Sequence, residues 1–476
     1  MNKNILFIIP DERKVYEDAS EKVGAFHLPS LAFAILGAIA KKNGFNPIVL
    51  DLSISNSPYE ELEQRLLIYL PDYVGITCTS ALYYEAIRVA KIVKQKLPSS
   101  KILIGGTHVS STVEETLEKD IFDYVFIGEA EISFDKFLKG VNPENIDGIA
   151  FKTRDGNIRK LQNPSYLRNL DDFPFPDYGI YNLERYHFSR LYCRNCPAVW
   201  IETSRGCPFN CQICNKVVHG QTFRPKSVER VVSEMEFLLK QGIKEFHLAD
   251  DGFTSDMKRA EEICDRIIER RLCFTWSCTN GIRADRVSQN LLKKMKKAGC
   301  YRISMGIESG NQDILNNLGK RISLEQVENA VRIAKKAGME ILGFFMFGFE
   351  NETETTMLDT INFAKRLPLD LAKVSPIIPF PGSPLFTKYK ALDLIYPTQD
   401  YRYFNFYMQP RLVYRHPSIE WKIIERYQRK FYRSFYFNPR YVLNRLMHSF
   451  KIGTLFFDLK LLLRMGWFKS MEGKGR

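Results

Sequence analysis

The chain of 476 residues lacks several things that would direct its reading. No apolar run is long enough to cross a bilayer. The longest, such as residues 28–40 (LPSLAFAILGAIA), fits a buried helix better. No basic head with an apolar stretch and a small-residue cleavage site opens the sequence, so a cytoplasmic location is expected. Ten cysteines do not make a disulfide framework in a chain of this length, and in a reducing compartment a tight group of them reads as metal or redox chemistry. No G-x-G-x-x-G follows the first strand pattern, which argues against a nicotinamide dinucleotide. Acidic residues are the minority, 55 Asp+Glu against 68 Lys+Arg, and the imbalance is concentrated late: residues 400–476 hold sixteen Lys/Arg and five Asp/Glu. That part is also rich in Tyr and Phe. It is read as helical, with a solvated basic face and an aromatic core face; the alternatives are contact with nucleic acid, an anionic substrate or a membrane surface. No nucleic-acid partner is expected.

What is present is the balance of a globular protein, 45% hydrophobic and 26% charged, in a chain long enough for two or three domains. Residues 1–140 alternate short β-branched runs with helical patterns. Strands are expected at 4–10, 47–52, 73–80, 101–106 and 123–131, and helices at 28–42, 59–70, 82–97 and near 111–119, with a last helix following. This predicts a doubly wound, Rossmann-like α/β domain whose ligand lies at the carboxyl ends of the strands. Those ends carry Thr77, Thr79 and Ser80; Gly105, Gly106, Thr107 and His108; and Gly128 and Glu129. Glycine pairs let a ligand approach the backbone, and the hydroxyls offer neutral hydrogen bonds. His108 is a catalytic group, a metal ligand or a satisfied polar residue. Residues 141–195 read as a linker with a hairpin around Asp155-Gly156.

From residue 196 the alternation restarts, with six strand patterns and intervening helices to about 395. This predicts a partial (β/α)6 TIM-type barrel with functional residues at the strand C-termini. Residues 396–476 form the basic, aromatic, helical C-terminal region.

Cys207, Cys211 and Cys214 follow the first barrel strand in a C-x3-C-x2-C spacing. Four thiolates close a metal site. Three thiolates on a four-iron cluster leave one iron open to a small molecule. The rival is a Cys3His zinc site completed by His219, or one borrowing from Cys193-x2-Cys196. Otherwise Cys193 and Cys196 are structural or incidental, and Cys264, Cys273, Cys278 and Cys300 are small core residues.

The cysteine spacing after a barrel strand resembles the radical S-adenosylmethionine superfamily over roughly residues 195–395. The resemblance implies a 4Fe-4S cluster on the three cysteines, S-adenosylmethionine chelated to the open iron, and a 5′-deoxyadenosyl radical that takes hydrogen from an unactivated carbon. It also implies cofactor contacts at Asp250 and Asp251 (amino group), Thr279 and Asn280, Glu308 in "GIESG" (a ribose hydroxyl or the substrate), and Ile213, where the family often has an aromatic residue over adenine. "FGFENET" (347–353) resembles the fifth-strand turn, with Glu350-Asn351 replacing the usual Pro-Gly, and "PFPGSPL" (379–385) matches a sixth-strand ending. "GGTHVS" (105–110) and "FIGEAEISF" (126–134) resemble the cobalamin-binding domain fused to one radical subgroup. D-x-H-x-x-G is missing after the first strand, so the resemblance assigns no histidine to cobalt.

A methyltransferase is therefore expected, working through methylcobalamin on an unactivated carbon. The alternatives are a cobalamin-dependent oxidative cyclase or rearrangement enzyme, in line with a similarity of layout to the anaerobic magnesium-protoporphyrin ester cyclase group, and an inactive corrin carrier or sensor. The organic substrate is unassigned (lipid, isoprenoid, tetrapyrrole or natural-product intermediate). The electron donor is expected to be a low-potential flavodoxin or ferredoxin. Residues 400–476 are expected to cover the barrel mouth, with residues 450–476 as a helical cap and a peripheral membrane contact through them as the other reading.

Overall fold

In the computed structural model, residues 3–15, 27–161, 166–186, 192–397, 400–406 and 410–451 are described. The first sheet runs β1 (Asn4–Ile9), β2 (Asn46–Asp51), β3 (Tyr73–Thr77), β4 (Lys101–Gly105) and β5 (Tyr124–Phe126), followed by β6 (Ile149–Lys152) and β7 (Ile158–Lys160). Their order is β2-β1-β3-β4-β5-β6-β7. The first five are parallel and the last two antiparallel. The hairpin expected inside a linker thus extends the first sheet. The sheet's helices are α1 (Leu31–Lys42), α2 (Pro58–Tyr69), α3 (Tyr83–Lys96), α4 (Thr107–Ser111), α5 (Val113–Leu117) and α6 (Glu131–Leu138). The single helix expected near 111–119 is two short ones, and the first starts directly at the Gly105-Gly106 turn. Strand order reverses between β1 and β3, which opens the crevice where such sheets bind ligands.

The second sheet has six parallel strands in chain order: β8 (Ala198–Ile201), β11 (Glu245–Leu248), β12 (Thr275–Ile282), β13 (Cys300–Glu308), β14 (Glu340–Phe347) and β15 (Leu371–Pro376). A two-residue ribbon, β9 (Ser204–Arg205) with β10 (Arg224–Pro225), flanks the cysteine loop. Helices α7 (Val228–Lys240), α8 (Met257–Glu269), α9 (Gln289–Lys297), α10 (Gln312–Asn317), α11 (Leu324–Lys336), α12 (Glu354–Arg366) and α13 (Pro384–Ala391) lie between or after the strands. They are amphipathic; α8, for example, buries Ala260, Ile263, Cys264 and Ile267 at helical spacing. The result is an α/β architecture with a Rossmann-like first region and an open, six-stranded parallel second sheet resembling a partial barrel. Cys264, Cys278 and Cys300 are core residues as expected, but Cys273 is exposed.

One apolar core joins both sheets, running from Phe7 and Phe33 through Tyr178 to Val199 and Ile201. The segment before β8 is the mortar. Asp177 N donates to Ala34 O at 2.9 Å, the Tyr181 hydroxyl to Ser30 O at 2.8 Å, and the Tyr178 hydroxyl to Trp200 O at 2.5 Å. α14 (Trp421–Tyr436) begins near the ends of β14 and β15, where Trp421 and Ile424 crowd Gly348, and then runs along the open edge of β15. It therefore covers a sheet edge more than a mouth. α15 (Pro439–Lys451) follows. Residues 452–476, which carry most of the expected membrane segment, lie outside the described residues. No described helix is long and apolar enough to cross a membrane.

Candidate functional site

The cysteine loop is fixed before it starts. Asp250, at the end of β11, is buried and accepts from Thr203 N and Thr203 Oγ1, both at 2.7 Å, and from Ser204 Oγ. Burial raises its carboxyl although these donors pull the other way. Asp250 thus ties the end of β8 to the end of β11 and leaves its neighbour to face the opening. Asp251 Oδ2 accepts from Gly206 N at 3.0 Å and lies 3.0 Å from His219 Nδ1. Burial opposes ionisation of Asp251, but the His219 contact holds it below the usual carboxylate range. Gly206 has φ +80°, and a Cβ there would lie 2.1 Å from Thr222 O, so the entry to the loop admits only glycine.

Within the loop Cys214 N donates to Cys211 O at 3.2 Å, and Lys216 Nζ donates to the Cys207 and Phe209 carbonyls. The proximity of the two thiols favours the thiolate at Cys211, helped by Lys320 and Arg283 against burial, and pushes Cys214 up. Arg283 stacks 3.6 Å from the Phe209 ring centroid, and Lys320 pairs with Glu308. Three sulfur donors ringed by cations and backbone suit an anionic iron–sulfur cluster. Among the described residues His219 and the three cysteines do not bring their donor atoms within 4.8 Å of one another, which weakens the Cys3His zinc alternative.

A buried charge network joins the two sheets behind this loop. Arg205 pairs with Glu202 at 2.7 Å and Glu131 at 2.5 Å and lies 3.6 Å from Glu129, which Arg224 also holds at 2.5 Å. Against burial, Arg205 and Lys226 pull Glu202 down to about 2. Sequence reasoning singled out Glu129 but missed Arg205, Glu131, Glu202, Arg224, Lys216 and Lys320. The available signal was a run of charges around an apolar strand end, in "IETSRGC" and "GEAEIS".

Both halves open into one cavity of about 540 Å³, within the size range of small-molecule sites. From the first sheet it takes Thr77, Gly105, Gly106, Thr107, Gly128 and Glu129; from the second it takes Cys207, Cys214, Asn215, His219, Ala249 and Asp251. A deeper apolar arm runs between α1 and the sheet face, past Phe7, Phe33, Leu103 and Phe126. At Gly106, with φ +121°, an added Cβ would lie 2.4 Å from Cys78 O, so this turn of the crevice requires glycine, whereas at Gly105 a Cβ would make only ordinary contact with Phe126 at 3.7 Å. A glycine-edged crevice with an apolar arm beside a thiol loop fits a large flat cofactor facing a cluster.

The other residues singled out from the sequence sit elsewhere. His108 is buried behind the crevice, 3.1 Å from Ser80 Oγ through Nδ1 and packed on Tyr83 and Tyr401. Burial lowers it to about 4, which keeps it neutral. Neither Thr79, Ser80 nor His108 lines the cavity. Ile213 lies in a separate small cleft with Phe349 and Ile377. Thr279 and Asn280 occupy a bulge in β12, where pairing with β13 jumps from Cys278–Ile303 to Ile282–Met305. Asn280 Nδ2 donates to Ala249 O at 2.8 Å, whereas Thr279 turns to His247 at 2.9 Å. Glu308 ends β13 at φ +67°. Gly306 leaves room for its pair, since a Cβ there would lie 2.8 Å from Lys320 Nζ.

Residues 201–364 match the family model described as the radical SAM superfamily, and residues 22–138 match that of the B12 binding domain. The chain is 32% identical to an uncharacterized methyltransferase of Pyrococcus horikoshii, PH0819, over 94% of this chain and 96% of that one. It is 25% identical to an anaerobic magnesium-protoporphyrin IX monomethyl ester cyclase of Rubrivivax gelatinosus, over 99% of this chain and 84% of that one. Its fold resembles that of the radical S-adenosylmethionine methyltransferase TsrM from Kitasatospora setae (TM-score 0.68, 19% identity, covering 84% and 79% of the two chains). It also resembles the cobalamin-dependent S-adenosylmethionine radical enzyme OxsB (TM-score 0.70, 19% identity, covering 85% and 64%).

Proposed function

This chain belongs to the cobalamin-dependent radical S-adenosylmethionine enzymes, and from that premise we propose that it is a methyltransferase acting on an unactivated carbon. It is an enzyme of that class; the alternative of a silent corrin carrier falls away. When bound, the cofactors supply a low-potential electron, a carbon-centred radical from S-adenosylmethionine and a cobalt-held methyl group. The observation that carries the reading is the single cavity shared by the thiol loop and the strand ends of the first sheet. Methyl transfer requires both reactive centres to face one substrate.

The protein's own residues divide the work. Cys207, Cys211 and Cys214 hold the cluster, and Lys216 keeps their loop folded by binding two of its carbonyls. Asp251 lines the same cavity as Cys207 and would hold the cationic amino group of S-adenosylmethionine. Asn280 and Glu308 stand near the ends of the next two strands, outside the cavity lining, and would meet its remaining polar groups only by giving up their bonds to Ala249 and Lys320. Thr77, Gly105, Gly106, Thr107 and Gly128 line the part of the cavity that would hold the corrin, and the apolar lining would exclude water there. We read the open second sheet as the six-stranded part of a TIM-type barrel, an external flavodoxin or ferredoxin as electron donor, and the enzyme as cytoplasmic, with peripheral membrane contact through residues 450–476 as the second reading of its last segment.

The second reading, oxidative cyclisation or rearrangement without net methylation, rests on the likeness to the cyclase over 99% of this chain. Anaerobic reconstitution with iron, sulfide and hydroxocobalamin, followed by mass spectrometry of the S-adenosylmethionine products, separates the two. Methyl transfer produces 5′-deoxyadenosine together with S-adenosylhomocysteine. Deoxyadenosine alone supports the second reading and contradicts the first.

A further inference from the structure

The segment from Tyr192 to Cys196 plugs the N-terminal mouth of the second sheet, the end opposite the cysteine loop. Its backbone is pinned on both sides. Arg194 N and Asn195 N donate to Glu245 Oε2 at 2.9 and 2.8 Å. Asn195 Nδ2 donates to Thr275 Oγ1 at 3.0 Å, and the Tyr301 hydroxyl lies 2.9 Å from Tyr192 O. Pinned this way, Cys193 places its Sγ 3.3 Å from His247 Nε2, which is itself 3.0 Å from Glu245 Oε1. The three donor atoms lie within 4.8 Å of one another. Their residues are 3%, 1% and 0% exposed for Cys193, His247 and Glu245.

We propose that Cys193, Glu245 and His247 form a second metal site, for a divalent transition metal of the zinc class, independent of the cluster cysteines. Tetrahedral zinc with ordinary bond lengths sets sulfur and nitrogen donors about 3.5 Å apart, close to the spacing present. A thiolate, a carboxylate and a neutral imidazole balance a dication, so the buried site carries no net charge. The supporting contacts are those a ligand set needs. His247 Nδ1 lies 2.8 Å from Ser277 Oγ and 2.9 Å from Thr279 Oγ1, which fixes the ring and leaves Nε2 toward the other donors. Glu245 is oriented by the two backbone donors, by Thr275 Oγ1 at 2.6 Å and by the Tyr301 hydroxyl at 2.8 Å. A sulfur–nitrogen–oxygen set selects against magnesium and calcium. A nucleophilic triad is excluded by geometry, because the thiol and the carboxylate approach the same ring nitrogen rather than opposite ones. Cys196, three residues on, is exposed and lies outside the trio. With its ligands buried, the metal enters as the chain folds and locks the plug to β11.

The test uses the full chain carrying C207A, C211A and C214A, so that cluster iron does not obscure the count. Elemental analysis after gel filtration is expected to find about one equivalent of zinc per chain. Adding C193S or H247Q should lower that about fivefold or more, with circular dichroism to verify folding. Should a substituted chain fail to fold, cobalt loading of the unsubstituted trio gives the same answer, through a thiolate-to-cobalt charge-transfer absorption. A chain that contains no such metal and takes up neither zinc nor cobalt overturns the site, as does metal content unmoved by C193S and H247Q.

Discussion

Glu352 stands in the turn after β14 with its Oε2 accepting from the Gly348 and Phe349 N–H groups, while Oε1 has no partner. Burial raises its carboxyl from 4.5 to about 8, although the two N–H groups pull it down. The folded state therefore holds a proton that the unfolded state gives up, and stability contributed by this group is lost as pH rises from about 4.5 to about 8. E352Q keeps the acceptor for both N–H groups and removes the titration. It should raise stability by ~2–4 kcal/mol at pH 8 and change little at pH 4.5, as read by urea unfolding at the two values. At this scale the sequence was legible in position: the loop that its cysteine spacing marks brings Cys207 and Cys214 to the cavity wall. It was not legible where two adjacent residues of one type part ways. Asp250 is spent on the backbone and hydroxyls of β8's exit, and Asp251 faces the cavity; only the packing of β8 against β11 tells them apart.

An open sheet leaves an edge strand with unpaired backbone groups, and α14 meets that need with tyrosines. The Tyr432 hydroxyl lies 3.0 Å from Val374 O and 3.2 Å from Val374 N. The Tyr436 hydroxyl does the same at Ala372, 2.8 Å from its O and 3.1 Å from its N. Four residues of helix rise about 6 Å and two residues of strand about 6.6 Å, so tyrosines at i and i+4 keep step with alternate strand residues. Y432F and Y436F retain the rings and remove the bonds. Each should cost ~1 kcal/mol and the pair ~2 kcal/mol in urea unfolding; a silent double variant would show that water serves the edge equally well. Helical spacing in "WKIIERYQRKFYRSFYF" revealed the helix and its aromatic face. It could not reveal that this face meets a strand edge, because that partner is set by how far the sheet closes. The hairpin near Asp155-Gly156 was legible as a hairpin for the same local reason, while its docking onto β5 was not.

Across the whole molecule, two sheets share one apolar core, and a network of Arg205, Arg224, Glu129, Glu131 and Glu202 crosses between them beside the cavity. Removing one member of such a buried network strands the others, so it fixes orientation more than it adds stability. That orientation brings Gly105 and Gly128 from one sheet into the same crevice as Cys207 and Cys214 from the other. The proposed chemistry depends on the three cysteines holding an iron–sulfur cluster at this crevice. The most direct measurement is iron and acid-labile sulfide per chain in anaerobically reconstituted protein, compared with its C207A, C211A and C214A variants. The account predicts about four of each in the parent and a clear loss in every variant. Iron that is absent from the parent, or unchanged when the cysteines are removed, would contradict it.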